Sequence, residues 1–159
     1  MRRSVGQRQP PITLEYVMDE ISRRGSPKVV AGMARFAIEP GTAFGVSIPQ
    51  LRYLAKKVGT DHELAQELWK TGIHEARILA SMIDDPTKVS EAQMEGWAAD
   101  FDSWDVVDGC CGNLLIRRNL QTEKQTNGPP EKRSSSREQA LSLSLNWPFT
   151  TKRLRTKHF

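Results

Sequence analysis

Asp61-His62-Glu63-Leu64-Ala65-Gln66-Glu67-Leu68-Trp69-Lys70-Thr71-Gly72-Ile73-His74-Glu75-Ala76-Arg77-Ile78-Leu79-Ala80-Ser81-Met82-Ile83 reads as two helices back to back. Asp61 can cap the first, its carboxylate accepting from a free amide of the opening turn. Leu64, Ala65, Leu68 and Trp69 then recur at helical spacing and form one buried face. Gly72 ends this helix, because glycine tolerates the backbone conformation that follows a last turn. From Ile73 the period resumes, with Ala76, Leu79, Ala80 and Ile83 inward, until Asp84-Asp85-Pro86 closes the run with turn residues. A connection this short brings the two helices back alongside each other, antiparallel.

The same reading extends in both directions. Thr13 caps a helix with Leu14, Val17, Met18 and Ile21 on its apolar face and Gly25 as its stop. Ser26-Pro27 restarts the chain with proline in the first helical turn, and Val29, Val30, Met33, Ala34 and Ala37 line this second helix. Glu39-Pro40-Gly41 is a turn. Ser47 caps a helix that buries Leu51, Leu54, Ala55 and Val58 and stops at Gly59. Beyond the central pair, Ser90-Glu91-Ala92-Gln93 reads as a capping box, followed by Met94, Trp97, Ala98 and Phe101 on one face. A last helix opens at Ser103, with Val107, Cys110, Cys111, Leu114 and Leu115 as its stripe. About seven helices and no strand-period segment predict an all-α chain of stacked antiparallel helix pairs, an α-solenoid. An ordinary helical bundle satisfies the same pattern.

The 159 residues are 38% hydrophobic and the mean hydropathy is −0.53, which predicts a soluble protein. No apolar run is long enough to span a membrane, and Met1–Pro11 has no apolar core of a secretory signal. The formal net charge of +4 hides a division. Residues 1–117 carry 14 Lys+Arg against 16 Asp+Glu, whereas residues 118–159 carry 9 against 3. The basic character is therefore that of the tail, and does not make the helical part a nucleic-acid binder. Residues 118–159 are a low-complexity basic segment with Asn127-Gly128-Pro129-Pro130 and Ser134-Ser135-Ser136 and few apolar groups. Such composition predicts disorder, since little burial offsets the entropy of ordering.

Asp100-Phe101-Asp102-Ser103-Trp104-Asp105-Val106-Val107-Asp108-Gly109-Cys110-Cys111 concentrates four carboxylates around one tryptophan. With Ser103 as cap, Asp102 being the alternative, Asp105 falls in the first turn, where the helix dipole favours an anion. Trp104 and Asp108 stand at i and i+4 on one face. On spacing alone Trp104 reads as a core residue and Asp108 as a solvated carboxylate, although Asp108 is not needed for capping. A calcium loop is excluded, since the glycine and the closing glutamate it requires are Asp105 and Cys111. His74-Glu75-Ala76-Arg77 lacks the second histidine of a zinc protease, Ile78 standing in its place. Cys110 and Cys111 have no partner ligands at zinc spacing and read as small packing residues; being adjacent, they staple nothing and point to a reducing compartment.

Phe44-Gly45-Val46-Ser47-Ile48-Pro49-Gln50-Leu51-Arg52, Gly72-Ile73-His74-Glu75-Ala76-Arg77, Asp84-Asp85-Pro86 and the Trp104–Cys111 stretch, in this order, resemble the DNA alkylation repair family of AlkD-like DNA glycosylases, which are built from HEAT-like repeats. The resemblance covers residues 12–117, so that 12–117 is the repeat domain and 118–159 the tail. It implies double-stranded DNA with alkylated bases as partner and, if the chain is active, hydrolysis of the N-glycosidic bond of purines alkylated at N3 or N7. Asp108 falls on the family's catalytic aspartate and Trp104 on its aromatic partner; His74-Glu75-Ala76-Arg77 reads as structural within the resemblance, with Glu75 and Arg77 open to pairing with neighbouring helices and Arg77 at most a phosphate contact. No cofactor or metal is expected, and the expected state is an intracellular monomer, cytoplasmic in a bacterium or nuclear in a eukaryote. The family's later helices supply further aromatic and arginine residues that 118–159 do not match; the expectation is a truncated or miscalled form of weak or no activity, the alternative being a groove supplied otherwise. A helical-repeat scaffold that binds without chemistry is the alternative.

Overall fold

The computed structural model describes residues 12–33, 42–115 and 117–118. Among them are seven α-helices, α1 (Leu14–Arg24), α2 (Pro27–Met33), α3 (Ile48–Val58), α4 (His62–Lys70), α5 (His74–Ile83), α6 (Glu91–Ala99) and α7 (Trp104–Gly109), with a π-helical segment, Cys110–Leu115, continuing α7. No strand occurs among the described residues. The fold is the all-α, HEAT-like stack expected. The proposed tail from residue 119 onward, and Ala34 and Ala37 of the second helix, lie outside the described residues.

α5 is the hub. It packs against α3, α4, α7 and the π-helical segment, with a lighter contact to α1. Its interior position explains why eight of its ten residues are buried, including His74, Glu75 and Ser81 as well as the expected Ala76, Leu79, Ala80 and Ile83. A helix apolar on one stripe alone would not support contacts on so many sides. The core runs outward from it through Leu51, Leu54, Leu64, Leu68, Trp69, Val17 and Ile21.

Local chemistry explains most boundaries. The Thr13 hydroxyl accepts from the Tyr16 amide (3.3 Å) and Asp61 accepts from the Leu64 amide (3.0 Å), each satisfying a donor the helix leaves free. Gly25 ends α1 in an extended, not a left-handed, conformation. The reason for glycine there is close approach: a Cβ would lie 2.8 Å from the Phe44 carbonyl oxygen.

Three expectations are corrected. The face of α2 is not a core face: the helix has no buried residue, and Val29 is 47% exposed. The capping box at α6 is half formed. Ser90 accepts from the Gln93 amide (3.1 Å), but the Gln93 side chain donates to buried Asp84 (2.6 Å) instead of reaching back. The charge-assisted bond to a buried carboxylate is worth more than accepting from an exposed backbone N–H that water can serve. On α6 only Trp97 is buried; its indole stacks on Trp69 with centroids 4.0 Å apart and planes 2° from parallel, and Phe101 meets Trp69 edge-on at 6.1 Å.

Candidate functional site at the α7 face

The connection 100–103 and α7 are held against α5 by a polar stripe at positions 74, 77 and 81, one helical turn apart. At its start, the His74 ring is 3% exposed. Its Nδ1 lies 3.3 Å from Ser103 Oγ, and its Nε2 lies 3.7 Å from Asp105 Oδ2. Ser103 precedes α7 with extended backbone, but its hydroxyl makes no cap bond. The expected cap is thus corrected, the hydroxyl having turned to the buried imidazole. Further along, Arg77 donates to the Asp100 carbonyl (2.9 Å) and to Asp102 Oδ2 (2.9 Å), and its guanidinium lies over Trp69 at 5.4 Å. At the end of the stripe Ser81 donates to the Ile78 carbonyl (2.6 Å) and accepts from Asn113 (3.2 Å). Gly109 passes close above it: a Cβ there would lie 3.3 Å from Ser81 Oγ.

These contacts sort the four carboxylates of the segment. Asp100 accepts from the Trp69 indole N–H (2.9 Å), Asp102 holds Arg77, and Asp105 faces His74. Asp108 is exposed and, among the described residues, its carboxylate has no hydrogen-bond or ion-pair partner. Trp104 is 38% exposed, not a core residue. The two share one side of α7 a single turn apart, roughly 5–6 Å between Cβ atoms. Arg77, the candidate phosphate contact, is only 14% exposed in its side chain and already serves two aspartates.

Beneath this face Val106, Val107, Cys110 and Leu114 are buried, while Cys111 is half-buried. The expected straight α stripe through Cys111 is altered because the backbone widens to a π-helix at Cys110. A π turn holds more residues than an α turn and rotates the following side chains around the axis. Burial pushes the Cys110 thiol well above its ordinary value, and burial followed by the Asp108 charge raises Cys111. Both are therefore thiols, not thiolates, at neutral pH. Among the described residues no three His, Cys, Asp or Glu converge as a metal site, and no helix is long and apolar enough to cross a membrane.

Two further carboxylates are buried on partners that the sequence does not reveal. Glu75, fully buried, accepts from the amides of Phe44 (3.0 Å), Gly45 (2.6 Å) and Val46 (3.2 Å), clamping that loop onto α5. Asp84 accepts from His62 Nδ1 (2.6 Å) and from Gln93. For His74, the signal available was the polar i, i+3, i+7 stripe of His74, Arg77 and Ser81 on an otherwise apolar helix.

No curated protein matches the chain. A solved structure described as "A new family of proteins related to the HEAT-like repeat DNA glycosylases with affinity for branched DNA structures" is similar over 91% of this chain and 80% of its own, with 22% identity and a TM-score of 0.56. At that identity the likeness shows the fold. Residues 17–128 match the family described as DNA alkylation repair enzyme, a range that runs beyond Arg117 and takes in the whole of the α7 face. With most of its length matched, the chain belongs to the DNA alkylation repair enzyme family.

Proposed function

We propose that the chain releases cationic alkylated purines, modified at N3 or N7, from double-stranded DNA by hydrolysing the N-glycosidic bond, with Asp108 and Trp104 as the catalytic pair. The observation that carries this reading is the contrast among the four aspartates: among the described residues Asp100, Asp102 and Asp105 each meet a side chain of another helix, whereas Asp108 has no hydrogen-bond or ion-pair partner and stands one turn from an exposed indole.

Glycoside hydrolysis ordinarily needs one carboxyl group to protonate the leaving group and another to support the oxocarbenium-like sugar or a water. An alkylated purine already carries the positive charge and departs neutral, so the acid is dispensable. A single carboxylate suffices. Asp108 would stabilise the charge growing on the deoxyribose and orient the attacking water, a fixed electrostatic contribution of about 3–4 kcal/mol. Trp104 would pack against the sugar and attract the cation through its ring face, about 0.5–2 kcal/mol. In this reading Arg77 acts from within, holding Asp100 and Asp102 away from the lesion, since a phosphate would have to displace both.

The test is base release from duplex DNA containing 7-methylguanine, followed by alkaline cleavage at the abasic site. Asp108→Asn keeps the shape and removes the charge, so excision slows by roughly 10²–10³-fold. Exposed Glu67→Gln, on the far helix α4, leaves the rate unchanged. An Asp108→Asn protein as fast as its parent refutes the mechanism.

A second reading, a repeat module that binds DNA without chemistry, is favoured by the similar structure's described affinity for branched DNA. It predicts no base release by the parent chain and tighter binding to a four-way junction than to a duplex of equal length.

A further inference from the structure

We infer that His74 is the positioning residue of the α7 site, gripping the chain on both sides of Trp104. The inference rests on the assignment of Trp104 and Asp108 to the lesion-facing surface.

Ser103 and Asp105 flank Trp104 in sequence, and one buried ring meets both: Nδ1 at 3.3 Å from the hydroxyl and Nε2 at 3.7 Å from the carboxylate. A neutral imidazole protonated at Nε2 suits the pair. Ser103 donates to the free Nδ1, and the Nε2–H faces the Asp105 anion. The arrangement has a structural cost. Ser103 occupies the N-cap position of α7 yet withholds its hydroxyl from the helix, giving up a bond that commonly anchors a first turn. That turn is the one that carries Trp104. Its orientation is therefore set from α5, through His74, and not by the capping that fixes α1 and α4.

The consequence is specific. α7 is a short helix whose first residue is 38% exposed, and among the described residues the Trp104 indole has no hydrogen-bond partner. Contact with the ring below fixes the backbone at 103 and 105, and with it the direction in which the indole leaves the helix. Arg77 does the same for the preceding connection through Asp100 and Asp102, and Ser81 for the end of the segment through Asn113. His74 differs from these in acting at the residues adjacent to Trp104.

The experiment uses the full chain labelled with 5-fluorotryptophan, the Trp104 resonance being assigned by its loss in Trp104→Phe. Two variants remove the grip: the double variant Ser103→Ala/Asp105→Asn, which changes only the partners and leaves the core intact, and His74→Ala. His74→Gln restores a side chain that both donates and accepts. Expected are a shifted or broadened Trp104 signal with the Trp69 and Trp97 signals in place, and a single-turnover excision rate on 7-methylguanine duplex lowered by roughly 10–100-fold. The dissociation constant for that duplex stays unchanged, and His74→Gln recovers most of the rate. A Trp104 signal and excision rate unaltered in the double variant overturn the inference. Should the parent chain show no excision, the functional reading fails by itself and the fluorine signal decides: movement of Trp104 alone supports positioning by His74, and an unmoved signal refutes it.

Discussion

Replacing Glu75 by glutamine tests how far this fold depends on a single buried anion. Glu75 Oε1 receives the Gly45 and Val46 amides at 2.6 and 3.2 Å, and Oε2 receives Phe44 at 3.0 Å. In Glu75→Gln the remaining oxygen keeps the two buried amides, and the new NH2 group turns toward Phe44, whose bond is only part-buried and whose N–H can reach water. Two bonds then change from charge-assisted to neutral, about 1 kcal/mol each, and the third is lost for about 1 kcal/mol more. Relief of the buried charge offsets some of this, because a neutral amide is less costly to desolvate than a carboxylate. The net expectation is about 1–3 kcal/mol of destabilisation. For a chain of this size that lowers the melting midpoint by roughly 2–12 °C, at about 2–4 °C per kcal/mol. Glu75→Leu removes both acceptor oxygens, and with them all three bonds, and strands two amides in the interior, at about 1–3 kcal/mol each. That loss approaches the whole stability of an ordinary domain. Urea unfolding followed by circular dichroism measures both. If Glu75→Gln matches the parent midpoint to within about 0.5 kcal/mol, below the size of a single hydrogen bond, the clamp does not hold the loop.

Gly45 and Gly59 both stand at positive φ, +79° and +81°, but a Cβ at 45 would lie 2.5 Å from the Ser26 carbonyl oxygen while that at 59 meets open space. Gly59→Ala should therefore cost about 1 kcal/mol of backbone strain alone, and Gly45→Ala clearly more; equal melting points for the two would refute the steric argument. Cys110 gives a pH prediction. Its thiol is raised in the fold above the ordinary 9.0, so the unfolded chain loses its proton first, and the contribution present below pH 9 fades as pH rises beyond it. Urea midpoints measured from pH 7 to 10.5 should fall more steeply for the parent than for Cys110→Ala, and parallel curves would dismiss the burial of that thiol as the cause. In the same pH range below 9, Cys110 should resist thiol reagents unless the protein is unfolded.

The helices were legible because their signals are local. Capping oxygens at Thr13 and Asp61, stops at Gly59 and Gly72, and apolar residues at 3.6 spacing each report on a few neighbouring residues. What remained hidden depends on partners distant in the chain. Ser103 looks like a cap until His74, 29 residues earlier, is seen beneath it. Gln93 looks like half of a capping box until Asp84 draws its amide. The face of α2 looks like a core face because valines recur on it, and only the packing places it outside. The site was legible in part for the same reason. Spacing puts Trp104 and Asp108 on one side of a helix and Asp105 in its first turn, but it names no partner for any of the four aspartates. Their separate fates are decided by Trp69, Arg77 and His74 on other helices.

That division of the carboxylates bears on how an acidic face can approach DNA at all. Four bare aspartates would repel a polyanion together. Asp102 is paired with Arg77, whereas Asp100 and Asp105 meet an indole and an imidazole; all three stay about half exposed, and Asp108 is the one without a partner among the described residues. A single carboxylate about 10 Å from a phosphate in water costs roughly 0.4 kcal/mol before screening, and less than half of that at physiological salt, where the Debye length is about 8 Å. The same carboxylate about 4 Å from a cationic base gains roughly 1 kcal/mol in water and about 4 kcal/mol at the lower effective dielectric of a protein surface. The attraction to the lesion thus exceeds the repulsion from any one phosphate severalfold, and the gap widens as water leaves the contact. A neutral, undamaged purine receives only the repulsion. In the proposed reading a bare aspartate beside an indole is in this way selective for a cationic base, and each further free carboxylate on this face would add repulsion for little further gain.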